Sequence, residues 1–105
     1  MGFVYLLESV NEDRTIYKIG YTKGNIKKRI DNLQTGNGYK IKELCSYKTE
    51  YNQKLERAIH NLYKHCRLTG EWFELTLSDV ANFEKTCEKI EKGFNALKDN
   101  PFFKY

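Results

Sequence analysis

The sequence predicts an α+β domain, because segments with the alternation of strands and segments with helical periodicity follow one another along a short chain. Apolar and aromatic residues alternate near the N-terminus, and after Gly20 the apolar spacing changes to three and four residues. A regular apolar stripe from Val80 to Leu97 closes the chain. With 105 residues, 40% of them hydrophobic and 14% aromatic, we expect one domain spanning residues 1–105.

The first 20 residues predict an antiparallel hairpin. Residues 3–7 alternate between the two faces of a strand, and residues 11–14 form a polar turn. Residues 15–20 are rich in β-branched and aromatic side chains, which favour strands.

The next segment predicts a helix. Ile26, Ile30 and Leu33 fall on one helical stripe, Asn25 can cap the start, and Gly36 lies just beyond the end.

Residues 39–48 return to alternation and predict a third strand. Asn52 is expected to cap a second helix that turns an apolar stripe to the core. The segment 71–75 is short and apolar enough for a further strand or an extended segment.

The C-terminal stripe predicts one long helix over about residues 78–98, capped by Ser78 or Thr76. The stripe is regular enough to serve as the seam of a homodimer, although packing onto the domain's own sheet is the commoner use of such a stripe.

Charge and cysteine usage restrict the class of protein. The formal charge is +4, from 18 basic and 14 acidic residues, and residues 18–29 carry five basic residues and no acidic one. Such a local cluster of basic residues is suited to contact the phosphates of a nucleic acid. Three widely spaced cysteines without a C-x-x-C pair argue against a disulfide framework or a zinc site. No apolar run approaches the ~20 residues that span a bilayer, so we expect a soluble intracellular protein without membrane contact.

Arg29 lies on the helix stripe that is expected to face the sheet, between Ile26 and Leu33. An inward guanidinium needs an anionic partner, because burying an unpaired charge costs several kcal/mol. A phosphate pocket would supply that partner, and so would a structural ion pair with Glu43; the residue alone favours neither.

Glu56 and His60 are four residues apart and therefore share one face of the second helix. That face could hold one divalent metal, although a single carboxylate supports only a largely water-coordinated Mg²⁺ that substrate phosphate completes. The alternative is a simple hydrogen bond on a half-exposed helix.

Three tyrosines, Tyr5, Tyr17 and Tyr21, lie on or next to the hairpin. A phenol with a pKa near 10 is a poor general base at neutral pH. Lys18 and Arg29 are expected to lower the pKa of a catalytic tyrosine.

These residues, taken in order, resemble the short single-domain subgroup of the GIY-YIG nuclease superfamily over about residues 3–75. The matching segments are Phe3-Val4-Tyr5, Lys18-Ile19-Gly20, Arg29, Leu33-Gln34-Thr35-Gly36, Glu56 with His60, and Gly70-Glu71-Trp72-Phe73.

The resemblance implies a small three-stranded antiparallel sheet flanked by helices, and a one-metal site that hydrolyses phosphodiester bonds. It implies that Tyr5 activates water, that Arg29 stabilises the pentacovalent phosphate, and that Glu56 binds one Mg²⁺ or Mn²⁺ ion.

The main departure from the family pattern is Lys18, which stands where a tyrosine opens the second triplet, with Tyr17 one position earlier. Lys18 could hold a phosphate or tune Tyr5. The polar residue that other members place after the glutamate helix has no clear counterpart, Glu71 being the nearest. The candidate catalytic residues are Tyr5, Tyr17, Lys18, Arg29, Glu56 and His60.

The function expected from this resemblance is a metal-dependent endonuclease that acts on DNA, mainly double-stranded, with low or structure-guided specificity. The alternative is a non-catalytic nucleic-acid-binding module on the same fold. The residues expected to contact nucleic acid are Lys23, Lys27, Lys28, Gln34 and Thr35.

Overall fold

The structure is a computed structural model that describes residues 1–98. Its strands are β1 Gly2–Asn11, β2 Arg14–Thr22, β3 Ile41–Thr49, β4 Arg67–Thr69 and β5 Trp72–Phe73. Its α-helices are α1 Ile26–Thr35, α2 Asn52–Leu62, α3 Leu77–Ala81 and α4 Phe83–Lys98, with a 3-10 turn at Lys64–Cys66. The predicted α+β class is confirmed.

The sheet has five antiparallel strands in the order β3-β1-β2-β5-β4, so the predicted number of three strands was too low. The two added strands have three and two residues. Segments this short cannot show the alternation from which a strand is predicted. The predicted extended segment at residues 71–75 contains β5.

The β1–β2 hairpin is the centre of the sheet. Its register runs without a break from the Phe3–Thr22 pair to the Asn11–Arg14 pair, and β1 also pairs with β3. Because directly opposed residues of antiparallel strands point to the same face, this register decides which side chains of β1 and β2 can meet.

The two faces of the hairpin are covered by different helices. Val4 and Leu6 point into the larger core, which also contains Leu55 and Ile59 of α2. Tyr5 and Leu7 point to the opposite face, where the half-buried apolar side chains of α1 cover them. The sheet is therefore buried on both sides around β1, and both helix stripes predicted from the sequence face it.

Two helix boundaries differ from the prediction. Asn52 is the first residue of α2, Tyr51 precedes it as the N-cap, and in the described structure no side chain caps this helix. The predicted helix 78–98 is divided into α3 and α4 at Asn82, whose side chain donates a hydrogen bond to the Ser78 carbonyl. An asparagine side chain that bonds to nearby backbone offers the chain an alternative to continuing the helix. Thr76 caps α3.

The apolar stripe of α4 packs inside the domain. Phe83 and Cys87 are buried in the larger core, and Glu91 accepts hydrogen bonds from the hydroxyls of Tyr47 and Thr49 on β3. These contacts account for the stripe within one chain, and the homodimer predicted through it is not shown. Over residues 1–98 no helix is long and apolar enough to cross a membrane.

We predict that Leu55→Ala lowers the free energy of unfolding by about 2–5 kcal/mol, because Leu55 is 0% exposed and its loss leaves a cavity. The matched control is Leu77→Ala, since Leu77 is 83% exposed; it should change stability by less than about 0.5 kcal/mol. Urea denaturation measures both. Equal losses in the two variants would contradict the burial assigned to α2.

Candidate functional site

The candidate site lies at the outer edge of β2, close to where β5 begins. Tyr5 of β1 pairs with Gly20 of β2, so the Tyr5 ring crosses the backbone of a residue without a side chain. A Cβ atom added to Gly20 would lie 2.5 Å from Tyr5 Oη and 2.9 Å from Glu71 Oε1. Only glycine leaves room for the phenol and the carboxylate at this position.

Arg29 reaches the site from α1. Its Nε donates a hydrogen bond of 3.4 Å to Tyr5 Oη. The side chain is exposed, because α1 buries none of its residues completely and covers the sheet only loosely. The prediction of a buried guanidinium was therefore wrong. Within residues 1–98 Arg29 forms no ion pair with Glu43, whose carboxylate instead accepts a hydrogen bond from Ser46.

The phenol of Tyr5 stays protonated. Burial raises the pKa of Tyr5 above its ordinary value of 10.0, and this effect outweighs the hydrogen bond and positive charge of Arg29, which lower it. The expectation that nearby cations lower the pKa of the catalytic tyrosine was wrong. Tyr5 is 0% exposed, and desolvation disfavours the phenolate more than one exposed guanidinium favours it.

Lys18 is held by the segment that leads into β5. Its Nζ lies 3.3 Å from Glu71 Oε1 and 5.2 Å from the centre of the Trp72 ring, and Lys18 pairs directly with Trp72 between β2 and β5. The side chain is only 13% exposed. Lys18 therefore neutralises a carboxylate and contacts an aromatic ring, and it lies on the face of β2 that Tyr5 occupies.

Glu56 and His60 reach the same edge from α2. His60 Nε2 lies 2.7 Å from the Ile19 carbonyl oxygen and 3.8 Å from Glu56 Oε1. A carbonyl only accepts hydrogen bonds, so Nε2 carries a proton and binds α2 to β2. The ring also packs edge-on against Phe73 at 4.9 Å. This nitrogen is consequently not free to bind a metal.

Burial raises the pKa of the Glu56 carboxyl above its ordinary value of 4.5, and the negative charge of Glu71 adds to that rise. The neighbouring His60 side chain and the positive charges of Arg57 and Lys18 oppose it. Two carboxylates thus lie within electrostatic reach of each other at the edge of the sheet, with cations around them.

Tyr5, Arg29, Glu56 and Lys18, which come from four separate elements, are brought together at this edge. The Tyr5 pKa responds to the charges of Arg29, Glu71 and Glu56, so these groups share one electrostatic environment. Their catalytic roles stay predictions. Tyr17 lies elsewhere: it points to the opposite face of β2 and is buried in the larger core.

Glu71 is a site residue that the sequence did not place among the catalytic candidates. The sequence named it only as the nearest counterpart of the polar residue after the glutamate helix, and it directly precedes the aromatic pair Trp72-Phe73, which becomes β5. The backbone of Glu71 accepts a hydrogen bond of 3.1 Å from the Ile19 amide, which fixes the residue beside β2.

The candidate nucleic-acid contacts divide into two groups. Lys23, Lys27 and Lys28 are exposed around the start of α1. The Gln34 amide is already used by the loop before β3: it donates to the Asn37 and Tyr39 carbonyls and accepts from the Ile41 amide at 2.7 Å. The Thr35 hydroxyl donates to the Asp31 carbonyl of its own helix.

The donors around Glu56 suit a hard, largely hydrated cation and do not form a complete cage. Over the described residues 1–98, no group of three or more His, Cys, Asp or Glu side chains could hold a metal ion. Mg²⁺ is commonly bound by one or two carboxylates together with waters and substrate phosphate, so the single carboxylate of Glu56 fits such an ion.

Comparison with known proteins identifies the family. The family model that matches is the T5orf172 domain, over residues 2–91. This match corrects the identification with the GIY-YIG nuclease superfamily that the motifs suggested.

Two relatives cover part of this chain. The uncharacterized protein YeeC of Bacillus subtilis (strain 168) is 29% identical over 104 residues, covering 75% of this chain and 27% of YeeC. The putative KilA-N domain-containing protein 315L of Invertebrate iridescent virus 6 is 36% identical over 86 residues, covering 75% of this chain and 35% of the viral protein. The chain thus spans about a third of the length of these relatives. No solved structure matches it.

We predict that Gly20→Ala destabilises the domain by about 1–3 kcal/mol, because the added methyl group overlaps the Tyr5 phenol. Gly38→Ala is the matched control, since a Cβ atom there meets nothing within 4 Å. Urea denaturation compares the two variants, and a Gly20→Ala protein as stable as Gly38→Ala would show that Tyr5 does not cross Gly20.

We predict that Glu56→Gln is more stable than the wild type at pH 7. A carboxyl whose pKa is raised by folding binds its proton more tightly in the folded state, so the unfolding free energy of the wild type falls as pH rises from 4.5 through the folded pKa. Glutamine avoids that penalty, and the advantage should disappear as pH falls towards 4.5. Denaturation at several pH values measures this, with the exposed Glu88→Gln as control. A constant difference across pH would contradict the burial of the Glu56 charge.

Proposed function

This chain belongs to the T5orf172 domain family, and from that premise and the site geometry we propose that it binds nucleic acid and hydrolyses phosphodiester bonds in DNA. The observation that carries the hydrolytic part is the hydrogen bond between Arg29 and Tyr5, with the Glu56 carboxylate close enough to raise the pKa of Tyr5. Binding of nucleic acid is the more general half of the proposed function. It is supported by the family and by the viral relative, a putative KilA-N domain-containing protein.

The surface beside the site suits a polyanion. Lys23, Lys27 and Lys28 are exposed around the start of α1, the helix that also carries Arg29. The first turn of α1 contains no acidic residue. Phosphates of a nucleic-acid backbone that lies along this helix would meet several cations before reaching Arg29, and the chain carries a net charge of +4.

Arg29 is suited to bind the phosphate that is cleaved. The guanidinium is exposed, and within residues 1–98 it has no carboxylate partner, so its donors other than Nε remain available for phosphate oxygens. As negative charge develops on those oxygens, a fixed cation stabilises the transition state more than the ground state. The hydrogen bond to Tyr5 Oη keeps this cation beside the phenol.

Glu56 is the residue that would hold a divalent cation, Mg²⁺ or Mn²⁺. Such an ion would act as a Lewis acid towards the phosphate. The contribution of the protein is to position the carboxylate: α2 is bound to β2 through the His60–Ile19 hydrogen bond, one turn after Glu56. His60 is therefore a positioning residue for Glu56.

Lys18 stands where the resemblance leads us to expect a tyrosine, and it makes contacts that a phenol would not make. It is paired with Glu71 and contacts Trp72, so its charge is partly used inside the protein. This observation favours a second candidate function, a nucleic-acid-binding module without hydrolytic activity, in which Arg29 and the lysines of α1 hold phosphates.

Both relatives are much longer than the segment that matches this chain. Because the chain covers 27% and 35% of YeeC and of protein 315L, other segments of a longer protein could supply sequence preference. For the domain alone we propose low or structure-guided specificity.

The decisive experiment incubates the purified chain with supercoiled plasmid in the presence of Mg²⁺ or Mn²⁺. We predict nicking by the wild type, and a loss of about 10²–10³-fold in rate for Arg29→Ala, since removing one transition-state contact typically has that effect. Glu56→Gln should bind the plasmid and not cut it, whereas the control Glu88→Gln, on the exposed face of α4, should cut normally.

The same assay separates the two candidate functions. Salt-sensitive binding without nicking under any metal condition would reject hydrolysis and leave the binding module. Absence of binding at low salt would reject both.

A further inference from the structure

A protonated Tyr5 cannot act as a base unless it loses its own proton at the same time. Burial keeps the phenol protonated, and Arg29 Nε donates to one lone pair of its oxygen. A phenol can nevertheless accept a proton from water if its hydroxyl hydrogen moves to another acceptor in the same step. Such an acceptor has to lie beside Tyr5 Oη and have a free lone pair.

Glu71 Oε1 has the free lone pair, and it lies close to Tyr5 Oη without a direct hydrogen bond to it. This oxygen is buried and has no hydrogen-bond partner among the described residues, although Lys18 Nζ approaches it to 3.3 Å. Tyr5 Oη and Glu71 Oε1 lie 2.5 and 2.9 Å from the point that a Cβ atom on residue 20 would occupy. Phenol and carboxylate thus both reach the place that a side chain on residue 20 would fill. Catalytic hydrogen bonds that are long in a free enzyme commonly tighten when substrate binds.

The other groups near the phenol are less suitable acceptors. Lys18 and Arg29 only donate hydrogen bonds. Glu56 lies on α2, with its Oε1 3.8 Å from the protonated His60 Nε2. Glu71 is held beside β2, because its backbone carbonyl accepts a hydrogen bond from the Ile19 amide and Lys18 Nζ lies 3.3 Å from its side chain.

We propose that Glu71 is the proton acceptor for the hydroxyl of Tyr5 and so allows a neutral tyrosine to activate the attacking water. This inference rests on the proposed phosphodiester hydrolysis. Glu71 acts through Tyr5 and does not contact the phosphate, so it is a positioning and proton-accepting residue.

A lone pair of the water oxygen forms the new bond to phosphorus as one water proton moves to Tyr5 Oη. The Tyr5 hydroxyl proton moves to Glu71 Oε1, which becomes a neutral carboxylic acid. The bond from phosphorus to the leaving oxygen breaks with its electron pair, and that oxygen takes a proton from solvent. Glu71 then returns its proton to solvent, and the products are a phosphomonoester and an alcohol.

Glu71→Gln tests the proposal because glutamine keeps the size and polarity of the side chain and cannot take up the proton. We expect kcat for plasmid nicking to fall by about 10²-fold or more with KM and the DNA dissociation constant unchanged, since proton transfer typically contributes about 10²–10⁴-fold. The double variant Tyr5→Phe with Glu71→Gln should be no slower than Tyr5→Phe alone, because both changes break one relay.

The matched control is Glu74→Gln. Glu74 follows Glu71 by three residues and is also ion-paired, to Arg14 at 2.6 Å, but it is exposed and away from Tyr5. It should leave kcat unchanged. If Glu71→Gln does not fold, Glu71→Asp, which keeps the charge and withdraws it by one methylene group, should show the fall in kcat.

The outcomes separate this proposal from the function on which it depends. Wild-type kcat in Glu71→Gln or in a folded Glu71→Asp, a change confined to KM, or additive losses in the double variant would each overturn the role of Glu71 while hydrolysis stands. Absence of nicking by the wild type would overturn hydrolysis and this role together, and retained DNA binding would then identify the binding module.

Discussion

The whole site depends on the contact between the Tyr5 ring and the backbone of Gly20. The unbroken register of the β1–β2 hairpin places these two residues opposite each other, and the absence of a side chain at residue 20 lets the phenol reach the outer edge of β2. Arg29 then binds the phenol from α1, and Glu71 enters the same space before β5. A shift of the hairpin register by one residue would place Tyr5 and Gly20 on opposite faces of the sheet, and the phenol would lose its place in the site.

This arrangement buries charged groups, which costs free energy, and neighbouring groups of opposite charge reduce that cost. Glu56 and Glu71 repel each other at an edge where solvent is partly excluded, and burial raises the pKa of Glu56. Lys18 and His60 provide nearby positive or donor groups that reduce this cost. The larger core, which lies on the other face and includes Leu55 and Ile59, holds α2 against the sheet and so supports its charged edge. This separation between an apolar face that stabilises and an edge that carries charge is typical of sites placed on a rigid sheet.

Much of the fold could be predicted because it depends on local pattern. Periodic patterns are detectable in the longer segments, which are the hairpin, the strand β3 and the helices α1 and α2. Asn25 and Gly36 mark the ends of α1 as expected. The short strands β4 and β5 and the break at Asn82 were not predictable, because each depends on pairing or on one side-chain hydrogen bond rather than on a repeated pattern. Gln34 and Tyr17 look available in the sequence, yet the loop before β3 uses the Gln34 amide and the core encloses Tyr17.

The sequence by itself determined the α+β class, the cationic segment around α1, and the residue types that meet at the site, because composition and period are properties of neighbouring residues. Only the tertiary structure decided the raised pKa of Tyr5, the exposure of Arg29 and the position of Glu71. These three properties depend on how completely separate segments exclude water around a group and which charges they bring beside it. Residues far apart in the chain create that environment jointly, so no local pattern records it.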